Sequence, residues 1–167
     1  MELILIRHAP AGDRIEWSLS GQPDAERPLT EEGSKRMRRG ARGLRRVLET
    51  PDHLYTSPLL RARQTADIVC DAYSELKPEI APHLEPDADP AETLAWLGKR
   101  KKTQRIALVG HEPHLSRLLA LLVHGDPDLE SMPFRKGGVA VLDLEKAGPG
   151  CATLIAMLPP RVLRALG

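Results

Sequence analysis

Two arginines and two histidines fall where strands of the chain give way to loops or helices. Arg7-His8 follows the apolar run Leu3-Ile4-Leu5-Ile6, Arg61 follows the Ser57-Pro58 step, and His111 follows the run Arg105-Ile106-Ala107-Leu108-Val109 and Gly110. Two guanidinium groups beside two imidazoles suit a dianionic phosphoryl group. Arginine forks onto phosphate oxygens through two N–H groups and keeps its charge at any working pH. A neutral histidine can attack phosphorus. The transfer itself then asks for little beyond in-line positioning and stabilisation of charge on the equatorial oxygens.

The surrounding elements must bring these junctions together. Leu3–Ile6 and Ile106–Val109 are apolar without alternation, the pattern of strands buried on both faces. In open α/β sheets, ligands bind in the crevice beyond the carboxyl ends of the strands, where Arg7, His8 and His111 fall. Residues 11–28, with Gly12, Gly21, Pro23 and Pro28, read as a long loop. Thr30 reads as the N-cap of a helix with Glu31 and Glu32 in its first turn and Met37, Ala41, Leu44, Val47 and Leu48 on one face. A short strand over His53–Thr56 leads to a helix predicted to start with Ser57 as N-cap and Pro58 at N1, and to run to about Tyr73. A weak strand over Glu79–Leu84 and a short helix over Ala91–Leu97 follow, then the basic turn 99–102. Leu115, Leu118, Leu119 and Leu122 mark a helix closed by Gly125. Strands are expected at Val139–Leu144 and Cys151–Leu158, with a helical turn in the tail.

Composition narrows the function classes. The 167 residues form a single expected domain over 1–167, with a core of Leu, Val, Ile and Ala because aromatics are only 3%. A formal net charge of +1 gives no global field for nucleic acid or membrane binding. The sequence holds no apolar run long enough for a membrane span. Glu2 in a strand pattern is unlike the basic start of a signal peptide, which predicts a cytoplasmic protein. Cys70 and Cys151, far apart in apolar contexts, read as ordinary buried thiols.

Leu5-Ile-Arg-His-Ala9, Thr56-Ser-Pro-Leu-Leu-Arg-Ala-Arg-Gln-Thr-Ala66 and Val109-Gly-His-Glu-Pro113, with Arg27-Pro-Leu-Thr-Glu-Glu-Gly33, resemble in order and spacing the signature blocks of the histidine phosphatase superfamily. The short length and the Arg-Pro-Leu-Thr block are most similar to its SixA-type phosphohistidine phosphatases. The resemblance implies a three-layer α/β/α, phosphoglycerate mutase-like fold, with a mostly parallel central sheet and helices on both faces. Only about 30 residues separate the Arg61 helix from the His111 strand, so a large helical lid is expected to be lacking. The resemblance makes His8 the nucleophile. It makes Arg7 and Arg61 the phosphoryl-binding pair and His111 a hydrogen-bond donor to the same oxygens, with no metal and no cofactor.

Two positions depart from the family pattern. Arg14 stands where many members carry asparagine, and it is expected with Asp13 at the rim of the site. The stretch that often supplies a glutamate proton donor is His83-Leu-Glu-Pro-Asp-Ala-Asp89, leaving Glu85 or Asp87 as substitutes. Alkoxide is a poor leaving group without a proton donor, whereas imidazole leaves a phosphoramidate readily. The expected substrate is therefore phosphohistidine on a protein. A small phosphomonoester is the alternative, and a phospho-binding module without catalysis the reading from another class.

Other polar features carry structural expectations. His111-Glu-Pro-His114 is not His-Glu-x-x-His, and Pro113 interrupts the geometry of a helical metal pair. His53, His83 and His124 are expected to be structural. The basic face at 35–46 reads either as solvated or as a docking surface for an acidic partner.

Overall fold

The computed structural model describes residues 1–74, 76–101, 104–129 and 133–167; Lys102 of the basic turn lies outside them. The chain runs β1 (Glu2–Arg7), α1 (Arg14–Leu19), α2 (Glu31–Val47), β2 (His53–Thr56), α3 (Leu60–Tyr73), β3 (Pro78–Ile80) and α4 (Pro90–Leu97). It continues with β4 (Arg105–Gly110), α5 (His114–His124), β5 (Val139–Leu144), β6 (Ala152–Leu158) and α6 (Pro160–Leu166). The sheet order is β3-β2-β4-β1-β5-β6. The pairings among β3, β2, β4 and β1 are parallel, and β5 and β6 add an antiparallel edge.

Alternation along the central strands splits the core between the two faces of the sheet. Ile4, Ile6, Ala107, Val109, Val139 and Val141 pack with α2, α3 and α6. Leu3, Leu5, Ile106, Leu108, Ala140 and Leu142 pack with α4 and α5. Both faces are covered, which is why β1 and β4 read as continuous apolar runs. The three-layer arrangement is the expected one. Between α3 and β4 the described chain forms only β3, a 3-10 turn over Pro82–Leu84 and the eight-residue α4, whose Leu94 and Leu97 join the second core. This segment covers the sheet and is too small to be a large helical lid.

Four local expectations are corrected. The long loop 11–28 contains α1, capped by Asp13 through bonds from Ile15 N (2.8 Å) and Glu16 N (3.0 Å). It also contains a 3-10 turn over Asp24–Glu26. No residue of α1 is buried, so it carries no apolar periodicity to read. Helix α3 begins at Leu60 with no side-chain cap, because the Ser57 hydroxyl is drawn into the site described below. The weak strand is confined to Pro78–Ile80. Cys70 is buried, but Cys151 is half-buried at the turn before β6.

Helix α6 lies against α2 at backbone distance. A Cβ on Gly43 would stand 1.9 Å from the Leu163 carbonyl oxygen. In an open helix, Gly→Ala gains about 1 kcal/mol, but overpacking against fixed backbone costs about 1–3 kcal/mol. Gly43→Ala is therefore expected to lower Tm, whereas alanine at Gly40, where the nearest atom is 3.8 Å away, should not.

Candidate active site

The four predicted residues meet at the carboxyl end of the sheet. Arg7 pairs with Gly110 across β1 and β4, and the His8 N–H continues the ladder to the Gly110 carbonyl at 3.0 Å. This places His8 and His111 side by side, with ring centroids 5.0 Å apart. Arg61 enters from the first turn of α3. Thr65, one turn later, accepts the Ala9 N–H at 3.0 Å and so ties α3 to the residue after His8. The residues line a cavity of about 530 Å³.

His8 is only 5% exposed. Its Nδ1 lies 2.7 Å from the Ala9 carbonyl oxygen, which can only accept, so the ring proton sits on Nδ1. Nε2 keeps its lone pair and has no hydrogen-bond partner among the described residues. Burial pulls the His8 pKa down to about 3 against the raising effect of the Ala9 bond, helped by the charges of Arg61, Arg7 and Lys136. His8 is thus a neutral imidazole at neutral pH.

His111 is buried more deeply, at 1% exposure. Its Nε2 lies 2.9 Å from the Ser57 hydroxyl, which already accepts the Leu59 N–H at 3.3 Å. The serine proton has no other acceptor among the described residues, so it points at Nε2 and the imidazole proton is on Nδ1. That Nδ1 is buried without a partner among the described residues. Burial, then the neighbouring His8 and Arg61, push the His111 pKa down to about 2.

The guanidinium groups are anchored from behind. Arg7 donates through Nη1 to the Phe134 carbonyl. The Phe134 N–H is held by Glu112 at 2.6 Å, and the Glu112 charge partly offsets the downward pull of burial on Arg7. Arg61 donates through Nη1 to the Asp24 carbonyl at 2.9 Å and pairs through Nη2 with the Asp24 carboxylate at 3.1 Å. Arg27 grips the same carboxylate at 2.8 Å and the Gly12 carbonyl at 2.7 Å. Burial raises the Asp24 pKa, but the bonds and charges of Arg27 and Arg61 outweigh it, so the carboxyl stays below its ordinary value. Nε of Arg7 and Nε of Arg61 are buried with no acceptor among the described residues. Together with His111 Nδ1, three donors around one cavity lack a partner among the described residues. Buried polar groups are rarely left so, and all three are N–H groups of the kind that hydrogen-bond an oxyanion.

The remaining predicted positions divide. Arg14, the first residue of α1, is exposed on the cavity wall together with its neighbour Asp13. Asp87 also lines the cavity, but Glu85 does not. Glu85 ends the 3-10 turn and is exposed outside the cavity lining. His114 lies at the start of α5, fully buried. Its Nε2 is 3.1 Å from the Thr93 hydroxyl and its Nδ1 is 3.1 Å from the Ala88 carbonyl, pinning the segment that carries Asp87. Among the described residues, no group of three or more His, Cys, Asp or Glu side chains is arranged to hold a metal ion. No described helix is long and apolar enough to cross a membrane.

Sequence reasoning missed Ser57 as a partner of His111, the Asp24–Arg27 support of Arg61, and Lys136. Lys136 lines the cavity, and Gly137 brings it there. Gly137 has φ +78°, and its N–H bonds to the carbonyls of Arg7 and His8, both at 3.1 Å. A glycine pair before a strand was the readable signal.

Residues 3–86 match the family model described as histidine phosphatase superfamily (branch 1). An uncharacterized protein of Picosynechococcus sp. is 33% identical over 141 residues, 83% of this chain and 82% of that one. Phosphohistidine phosphatase SixA of Escherichia coli is 28% identical over 154 residues, covering 90% and 89%. The solved structure of a protein histidine phosphatase SixA complexed with tungstate superposes with a TM-score of 0.82 at 27% identity, covering 98% of this chain and 99% of that one. The chain belongs to the histidine phosphatase superfamily, and its SixA homologues are evident in both sequence and structure.

Proposed function

We propose that the chain is a phosphatase that takes a phosphoryl group onto His8 Nε2 and passes it to water, with phosphohistidine on a protein as its substrate. The observation that carries this reading is the pairing of a bare, neutral His8 Nε2 with three unpartnered buried donors in the same cavity. The lone pair of Nε2 forms a P–N bond as the P–N bond of the substrate breaks, and the leaving imidazole takes up a proton from solvent water. Arg7, Arg61 and His111 hold the equatorial oxygens. Water then attacks phosphorus, the P–Nε2 bond breaks, and inorganic phosphate leaves with His8 neutral again. The charge is supplied by side chains, so no metal is required.

The carboxylates at the cavity favour this substrate. Asp24 and Asp13 are held below the ordinary carboxyl range, Asp13 by the two backbone N–H groups it caps. Glu112 accepts bonds from the Phe134 N–H and the Ser116 hydroxyl. A leaving imidazole needs the least help from a side-chain acid. The 28% identical Escherichia coli relative is named for phosphohistidine. Asp87 on the cavity wall supports a second reading, a phosphatase of small phosphomonoesters with Asp87 as the acid.

A panel of radiolabelled donors tests both. A phosphohistidine protein should be dephosphorylated faster than sugar or nucleotide monophosphates, with transient label on the chain that survives alkali and is lost in acid. Faster turnover of the monophosphates would select the second reading. Phosphate binding with no label from any donor would make the chain a phospho-binding module.

A further inference from the structure

The basic face of α2 divides into two parts with different surroundings. Arg45 donates to the Ala72 carbonyl in the last turn of α3 at 2.7 Å, and Arg46 donates to the Leu166 carbonyl at the end of α6 at 2.5 Å. These cations sit on the carbonyl ends of two helices, a favourable placement against the helix dipole. They have structural employment. Nearer the start of α2 the surroundings change. Lys35 and Arg36 pair with Glu31 and Glu32 one turn back. Arg39, Arg135, Lys136, Arg161 and Arg164 form no ion pair with any described residue.

These cations are contiguous with the active site. Lys136 lines the catalytic cavity and also a second groove of about 170 Å³, shared with Arg36 and Arg164. That groove is also lined by Ala9 and Pro10, the two residues after His8. From there Arg164 and Pro160 continue into a hollow with Arg135 and Arg161, and Arg36 and Arg164 into another with Arg39 and Lys35, where Glu32 is paired with Arg36. The whole chain carries a net charge of only +1, so this concentration is a local segregation of charge. Uncompensated cations leading away from a reaction centre steer an anionic partner and fix its orientation more than they add affinity.

We propose that this cationic groove, running from Lys136 across α2 and α6, is the docking surface for an acidic stretch of the phosphohistidine-bearing protein. The inference rests on the substrate reading above. The partner is recognised by carboxylates adjoining its phosphohistidine, which meet Arg39, Arg161 and Arg164 while the phosphoryl group enters between Arg7 and Arg61. A small phosphoramidate, which has no such stretch, needs none of these contacts.

The test uses two peptides of equal length with one central histidine, one flanked by Asp and Glu and the other by Lys, each phosphorylated with phosphoramidate. Wild-type protein should show a kcat/KM about tenfold or more higher on the acidic peptide at low salt, with the difference collapsing at high salt. The triple variant Arg39→Glu, Arg161→Glu, Arg164→Glu should lose that preference and keep its rate on free phosphoramidate. Equal rates of the wild type on both peptides, or an intact preference in the variant, would overturn the proposal. So would an equal loss on phosphoramidate, which would mean a damaged site. Binding of the unphosphorylated acidic peptide, followed by fluorescence anisotropy, needs no turnover. If the wild type binds it and the variant does not, docking holds even where the substrate reading fails. If the variant instead loses retention on anionic vesicles or RNA with peptide binding unchanged, the groove serves another polyanion and the proposal falls.

Discussion

His8→Ala is expected to abolish the phosphoenzyme and to lower turnover by on the order of 10⁴-fold or more, because no other group at the cavity offers a bare imidazole nitrogen to phosphorus. Among the described residues lining the cavity, His111 is the one other histidine, and its Nε2 is engaged by Ser57. The variant should fold, since the one bond that the His8 ring makes among the described residues is to the adjacent carbonyl, and the bonds to Gly110 and Gly137 are made by its backbone. A second readout separates loss of the nucleophile from loss of the fold. Burial lowers the pKa of His8 to about 3 and of His111 to about 2. From the ordinary histidine value near 6.5 down to those values, the unfolded chain binds protons that the folded chain refuses. Stability therefore rises with pH across that window and is lost on acidification, by up to about 1.4 kcal/mol per pH unit for each histidine. His114 and His83 are lowered by burial in the same direction, and His8→Ala removes the His8 contribution alone. Urea midpoints measured at about pH 7 and about pH 5 should fall less in the variant than in the wild type. A variant that turns over at near the wild-type rate would remove His8 from the nucleophile role.

Arg61→Lys is expected to cost about 10²- to 10³-fold in kcat/KM while the protein stays folded. The position needs a planar fork. Two of its nitrogens are committed to Asp24, and Nε is left for the phosphoryl oxygens. An ammonium group can satisfy one side or the other, and the half-exposed Asp24 carboxylate will compete for it. The loss should appear mainly in kcat if the missing contact is one made in the transition state. Asp24→Asn should give a smaller loss with Arg61 intact, because Arg61 keeps the Asp24 carbonyl. A lysine variant with unchanged kcat/KM on phosphohistidine substrates would place the phosphoryl group elsewhere in the cavity.

What the sequence made legible follows from how each part is held. Strands β1 and β4 are buried on both faces, so composition alone marks them, and the residues at their ends follow. Arg61 was readable because it sits at the start of a helix with its own periodic face. The supports behind these residues are different in kind. Asp24 reaches Arg61 across 37 positions, Ser57 reaches His111 across 54, and Phe134 reaches Arg7 across 127. No local pattern encodes such pairs. Helix α1 escaped because Ile15 and Leu19 are 72% and 83% exposed, leaving one aspartate cap as its signal. Ser57 was misread as a cap for a related reason. Serine before proline is a sound helix start, but a fully buried hydroxyl next to an imidazole bonds to the imidazole.

The pairing of Arg7 with Gly110 has a consequence for how the protein becomes active. Strands β1 and β4 are about a hundred residues apart in the chain, and they are joined in one specific register. A slip of one residue would turn every side chain of β1 to the opposite layer. It would also carry His8 out of line with His111. Contacts of such long sequence separation form late and slowly in folding. The nucleophile and its neighbour therefore come together only once the middle of the sheet has closed correctly. Recovered activity during refolding is then a direct report on strand registry, and it should lag behind the return of helical signal.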